Sequence, residues 1–350
     1  MASLRELLGR KPVEAPHAAA PGLPAWARPL FASALQPGRV DGAEVLVWAI
    51  QDDASTAVIS DQFKANAGDY HQRYAASDHF EKLFRQGLAE TAIRVADRPL
   101  VLDLGSGSGV NSIVPCMRLF PGARSVATDL SGELLAMLAA YLQDAGRADE
   151  VVCVQMDAMS NHVTTGAFDL VTGASILHHL ERPQDGLAAA ARALKPGGHA
   201  IFFEPFDGWG IMRLAFERIL SEAGLRGEAL DPDVAGTLRN SVIDTTARTN
   251  PDPGSDVFRA LDDKWLFSRE RMTAMAMEAG FTEARIVPHN CGPNLYQLIG
   301  PIQLRLATGR SDLALPPWAM EILKSFDEAL PPPVKRAAML EGTVVLTKGR

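Results

Sequence analysis

Val101-Leu102-Asp103-Leu104-Gly105-Ser106-Gly107-Ser108-Gly109 is an apolar run that ends in three alternating glycines. Leu100 to Leu104 reads as a buried parallel strand, because such strands are apolar on both faces and lack the alternation of a half-exposed sheet. A helical stretch follows from Asn111 to Leu119, closed by Pro121-Gly122. The glycines therefore lie at a strand-to-helix turn, on the edge where open α/β sheets bind ligands. Glycine there permits positive φ and close approach of the backbone to a ligand. The spacing is G-x-G-x-G, with Val110 where the dinucleotide fingerprint G-x-G-x-x-G requires glycine. Asp103 adds negative charge, which suits a cationic portion of a ligand, an amino group or a sulfonium environment, better than a pyrophosphate.

Working outward, strands at Ser125 to Thr128, Val151 to Met156, Phe168 to Thr172 and His199 to Phe203 alternate with helices. One helix is capped by Ser131 and presents Leu134, Leu138, Tyr141 and Leu142 on one face; another runs from Gly186 to Leu194 before Pro196-Gly197-Gly198. This alternation implies an α/β fold, a parallel sheet with helices on both faces. The rhythm breaks over residues 206–263, where Ile211 to Ala223 reads as an amphipathic helix and Asp231 to Asp256 as a polar, turn-rich lid or cap. It resumes with a helix at Ser268 to Ala279 and a strand at Ala284 to Pro288. A second irregular insertion spans residues 291–340, and Gly342 to Thr347 is the last strand.

Upstream, Phe63, Ala67, Tyr70 and Tyr74 recur at helical spacing, as do Phe80, Leu83, Phe84 and Leu88. Val45 to Ile50 fits a short strand or a helix. Six prolines before residue 38 preclude a long helix there. Residues 1–60 are thus expected to be an extended arm or tail, ahead of one catalytic domain at 61–350 carrying the two insertions.

Two further acids follow strands. Asp129 ends the second strand, where a carboxylate accepts from both ribose hydroxyls; Asp157-Ala158 follows the third, within reach of an adenine amino group. Taken alone, each is an ordinary loop Asp. Acids at the ends of three successive strands point together to an adenosine-type ligand.

These residues resemble the class I S-adenosylmethionine-dependent methyltransferases over roughly residues 63–205, 265–290 and 342–349. Val101 to Gly109 is similar to the family's first motif, Asp129 to its ribose-binding acid and Asp157 to its adenine-binding acid. Phe168-Asp169-Leu170-Val171 with Leu177-His178-His179-Leu180, Leu194-Lys195-Pro196-Gly197-Gly198, and Ala279-Gly280-Phe281 match later motifs in the family's order. The resemblance implies a Rossmann-like, mostly parallel seven-stranded sheet with helices on both faces, N-terminal helices and a cap insertion. It implies S-adenosyl-L-methionine as cofactor, held by Asp103, Gly105, Ser106, Gly107, Gly109, Asp129, Leu130, Asp157, Ala158 and Gly173, with Tyr70 covering it. It implies methyl transfer to a small-molecule acceptor at oxygen or carbon. The likeness is strongest to small-molecule methyltransferases of the ubiquinone and menaquinone type, and it does not extend over residues 1–60, 206–263 or 291–340.

Alignment of nucleophile, methyl and sulfur does most of the work in such chemistry, and a base helps when the acceptor is a hydroxyl. His178, His179 and Glu204 are the candidates. His289 is expected further from the site. Two other classes stay open on the residues: a nicotinamide-dependent oxidoreductase, which the glycine spacing disfavours, and a non-catalytic nucleoside-binding scaffold. The net charge of −8 argues against a nucleic-acid partner. Cys116, Cys153 and Cys291 form neither a disulfide framework nor a zinc pattern, so no metal is expected. The absence of a long apolar run points to a cytoplasmic protein with no membrane span.

Overall fold

The computed structural model describes residues 22–38, 40, 46–51, 77–160 and 162–350. Among the described residues nine strands form one sheet: β1 (Leu35–Pro37), β2 (Trp48–Ile50), β3 (Leu100–Leu104), β4 (Arg124–Asp129), β5 (Val151–Gln155), β6 (Phe168–Ala174), β7 (Leu194–Pro205), β8 (Phe281–Pro288) and β9 (Glu341–Lys348). Their order is β1-β2-β5-β4-β3-β6-β7-β9-β8. The steps from β2 through β5, β4, β3 and β6 to β7 are parallel, whereas β9 runs antiparallel to both β7 and β8. The fold is the expected Rossmann-like α/β sheet. From β3 the chain winds outward through β4 and β5, then returns to build β6 and β7 on the other side. The two directions part between β3 and β6, the switch point where such sheets open a crevice.

The strand count among the described residues is nine rather than the expected seven. The two additional strands come from residues 1–60, which along their described part are not a free arm: β1 ends the proline-rich stretch and β2 falls in Val45 to Ile50. β1 pairs antiparallel with β2, and β2 pairs parallel with β5 through Trp48↔Val154 and Ala49↔Gln155. Pro37 lacks an N–H and is tolerated because β1 is an edge strand. Phe31 bridges to Val163, and Thr164 N–H donates to the Leu30 carbonyl.

The helices are α1 (His79–Thr91), α2 (Ile113–Leu119), α3 (Gly132–Asp144), α4 (Pro183–Ala193), α5 (Trp209–Arg226), α6 (Pro232–Thr249), α7 (Asp256–Ala260), α8 (Arg269–Glu278), α9 (Leu295–Thr308), α10 (Pro317–Ala329) and α11 (Pro332–Ala337). The polar stretch expected to be turn-rich, Asp231 to Asp256, is mostly the helix α6. Asp231 caps it by accepting from Asp233 N–H, and Pro232 occupies the first turn, where its missing N–H costs nothing. Only Val234, Leu238, Thr245 and Arg248 of α6 are buried, a stripe too narrow to dominate the composition. The insertion at 291–340 likewise holds three helices, α9 to α11. Helices α5, α6, α9 and α10 share an apolar core of their own around Phe216, Leu238, Tyr296 and Leu323, beside the core of the sheet. No helix among the described residues is long and apolar enough to cross a membrane.

Candidate functional site

The glycine loop after β3 adopts the backbone its residues predict: φ is +67° at Gly105, +51° at Gly107 and +78° at Gly109. It is pinned to the neighbouring strand. Ser106 N–H donates to the Thr128 carbonyl (2.8 Å), and Thr128 N–H donates to Ser106 Oγ (3.0 Å). Asp129, at the end of β4, ties in the loop's middle. Its Oδ2 accepts from Gly107 N–H and its Oδ1 from Ser131 N–H, each at 2.8 Å. A carboxylate has about four acceptor positions, and Asp129 is only partly buried, so acceptor capacity remains at the crevice. Leu130, beside it, accepts from Gln155 Nε2 through its carbonyl. After β5, Asp157 accepts from Met159 N–H (2.8 Å), with Ala158 buried between them.

A side-chain carbon at Gly107 would meet nothing nearer than Leu134 at 4.0 Å, which leaves space over the loop. The open space over Gly107, beside a carboxylate that is only partly buried, fits a nucleoside with a polar tail. Gly173 lies within β6, packed closely under Ile176 and Phe202. Tyr70 lies outside the described residues.

Asp103 is not in the crevice. It is fully buried, and its two oxygens accept from Ser112 Oγ and Thr172 Oγ1, both at 2.6 Å. Burial pushes its carboxyl up to about 6. It braces β3, β6 and the start of α2 rather than facing a cationic ligand. A strand-end position and a charge do not reveal in sequence which way the side chain points.

Next to the switch point lies a cavity of about 300 Å³, bounded by the ends of β6 and β7 and by residues of α1, α5, α6 and α9. Glu204, at the end of β7, is buried in its wall. It accepts from the backbone N–H groups of Ile176 (3.2 Å), Leu177 (2.8 Å) and His178 (3.2 Å), and from His178 Nδ1 (2.7 Å). With its lone pairs so occupied, Glu204 positions His178 instead of serving as the base considered above. The other ring nitrogen of His178 lies 3.5 Å from Asp263 Oδ1. Burial works to lower the His178 pKa, but the charges of Glu204 and Asp263 outweigh it and push it up to about 9. At neutral pH His178 is an imidazolium. His179 stacks on it at 4.2 Å and has the opposite character: burial and the His178 charge push it down to about 4. The adjacent histidines thus hold one proton donor and one neutral ring.

Asp263 joins several of these groups. Arg248 Nη1 lies 3.2 Å from Asp263 and 3.0 Å from Asp244, and Arg248 Nη2 donates to the Trp265 carbonyl. Against the effect of burial, His178 and Arg248 hold the Asp263 carboxyl well below the usual range. His178, His179 and Asp263 offer ligand atoms within 4.8 Å of one another, the spacing of a metal site, but two cations already balance the carboxylate. Sequence reading missed Asp263, Arg248 and Glu341, which lie in unpatterned segments, and placed His289 too far away. His289 follows β8 yet lines the same cavity, since α1 and β9 bring His79 and Glu341 to it from two other parts of the chain.

Residues 102–202 match the family model described as a methyltransferase domain. An uncharacterised protein of Synechococcus sp. is 39% identical over 101 residues, covering 29% of this chain and 24% of that protein. A ubiquinone biosynthesis O-methyltransferase of Idiomarina loihiensis is 31% identical over 124 residues, covering 34% of this chain and 49% of the enzyme. The chain thus spans about half or less of the length of these curated relatives. Among solved structures, phosphoethanolamine N-methyltransferase 2 of Haemonchus contortus, in complex with phosphomonomethylethanolamine and S-adenosylhomocysteine, aligns with a TM-score of 0.46 at 16% identity, covering 84% of this chain and 61% of that one.

Proposed function

We propose that this chain, whose residues 102–202 form a class I S-adenosylmethionine-dependent methyltransferase domain, transfers a methyl group from that cofactor to a small-molecule acceptor at oxygen or carbon. The observation that carries this reading is Asp129. It spends one acceptor position on each of two backbone N–H groups, of Gly107 and Ser131, and keeps the rest at the crevice for a ribose. Gly107 lies open beside it for the methionine portion, and Asp157 stands at the next strand end for the adenine amino group. S-adenosylmethionine supplies a methyl group on a sulfonium, already a good leaving group.

The chain's own contribution is to align and enclose. The acceptor occupies the cavity at the ends of β6 and β7, next to the switch point. His178, held as an imidazolium between Glu204 and Asp263, is a fixed positive charge on that wall, whereas His179, whose Nδ1 meets the Asp262 carbonyl at 3.0 Å, is not among the residues that line the cavity. A cytoplasmic setting fits two buried thiols, Cys116 and Cys153. The test is calorimetry with S-adenosylmethionine and with NADH. Binding of the first, weakened at least tenfold in Asp129→Ala, is expected, since charge-assisted hydrogen bonds contribute about 1.5–3 kcal/mol each. Binding of NADH alone would overturn the reading.

A further inference from the structure

The cavity presents a ligand mainly with carboxylate oxygen. The side chains of Asp244, Asp263 and Glu341 are 42%, 44% and 49% exposed, whereas the cations of the same wall, Arg248 and His178, are only 10% and 7% exposed. Asp244 and Asp263 share Arg248, and Glu204 holds His178. Glu341 is different: its nearest basic atom in the described residues is His289 Nδ1 at 3.9 Å, beyond hydrogen-bond reach. That nitrogen is the second observation. The His289 side chain is 3% exposed, and its Nε2 meets Thr343 Oγ1 at 2.8 Å. Its Nδ1 is buried with no hydrogen-bond partner among the described residues. Few buried polar atoms in folded proteins stay unpaired, and each such atom needs an explanation.

We propose that the acceptor is an amine-bearing small molecule whose ammonium group lies between Glu341 and His289 Nδ1. The proposal rests on the methyltransferase reading above and names its substrate class. An ammonium donates one N–H to the Glu341 carboxylate and another to the Nδ1 lone pair of His289, whose Nε2–H then donates to Thr343. A carboxylate or phosphate on the ligand would meet three exposed carboxylates and be repelled. A protonated nitrogen has no lone pair to attack a methyl group, so this group anchors the acceptor and is not the atom methylated. Phe80, Leu83, Phe203 and Trp209 line the same cavity and receive an apolar body.

The test uses the full chain saturated with S-adenosylhomocysteine. Three probes share one phenol ring and differ in the head group: tyramine, 4-ethylphenol and 3-(4-hydroxyphenyl)propanoate. Calorimetry should show tyramine binding at least tenfold more tightly than 4-ethylphenol, and the propanoate most weakly. Glu341→Gln should abolish the tyramine preference, with unchanged S-adenosylhomocysteine affinity reporting an intact fold. His289→Ala should reduce it. Equal affinity for tyramine and 4-ethylphenol, a preference that survives Glu341→Gln, or no binding of any probe would each overturn the proposal. Failure of S-adenosylhomocysteine itself to bind would count instead against the methyltransferase reading.

Discussion

His178 shows how one side chain's neighbours set its role. A histidine after the fourth core strand reads in sequence as a candidate base, yet Glu204 and Asp263 occupy both its ring nitrogens and keep it protonated. The consequence for stability has a definite sign. The folded pKa, about 9, lies above the unfolded value of about 6.5. The stabilisation is therefore complete below about pH 6.5 and is lost as pH rises through about 9. Urea unfolding should show a midpoint that falls between pH 6.5 and 9, the total loss being up to about 3 kcal/mol. Glu204→Gln should flatten that fall and lower stability at pH 6. A parent midpoint constant across the window would contradict the assignment. Gly107 is a second case: at φ +51° a β-branched residue is strained whatever space surrounds it. Gly107→Val should abolish S-adenosylmethionine binding by calorimetry while circular dichroism keeps its native form.

Among the elements, α5, α6, α9 and α10 form the second core beside that of the sheet. Arg248 on α6 is the physical tie between that helix and the cavity wall, through Asp263 and the Trp265 carbonyl. Replacing residues 231–256 by a Gly/Ser linker should leave S-adenosylmethionine affinity intact, because its expected ligands lie before residue 180. Acceptor turnover should fall sharply, and turnover equal to the parent would reject the cap. In the same region Asp327 accepts from Tyr296 and Gln297 N–H at the start of α9 and pairs with Lys335 Nζ at 2.8 Å. Both charged side chains are almost wholly buried, 3% and 1% exposed. Asp327→Ala leaves a buried ammonium and two uncapped N–H groups. It should cost about 3–5 kcal/mol in urea unfolding, and a loss below 1 kcal/mol would show that the pair is replaceable by water.

The molecule as a whole divides its tasks between two cores. The sheet and its switch point carry the glycine loop and Asp129, while α1, α5, α6 and α9 wall the cavity beside them, the last three belonging to the second core. Product binding should therefore protect the two parts unequally. In hydrogen exchange, S-adenosylhomocysteine should slow amides in residues 103–109, 129–131 and 157–159 and leave 232–249 and 295–308 unchanged. At a hundred times its Kd it should add about 2.7 kcal/mol to the stability of the cooperative unit that contains the crevice. Uniform protection across both sets would mean that the cores act as one unit.

What was legible in the sequence was what short-range physics imposes. Leu100 to Leu104 is apolar because a central parallel strand is buried on both faces; Gly105, Gly107 and Gly109 are glycines because the chain there needs positive φ. Alternating strands and helices then imply the sheet, and Asp129 and Asp157 fall at strand ends by count alone. Three things depended on the tertiary structure. The direction of the Asp103 side chain was decided by the hydroxyls of Ser112 and Thr172, which approach from another helix and another strand. The helix in Asp231 to Asp256 was masked by a polar surface, since only its narrow inner stripe meets the second core. The cavity was invisible because His79, His178, Arg248, Asp263, His289 and Glu341 come from distant segments. A cavity is a property of surfaces brought together in space, and no local pattern of residues encodes which surfaces those are.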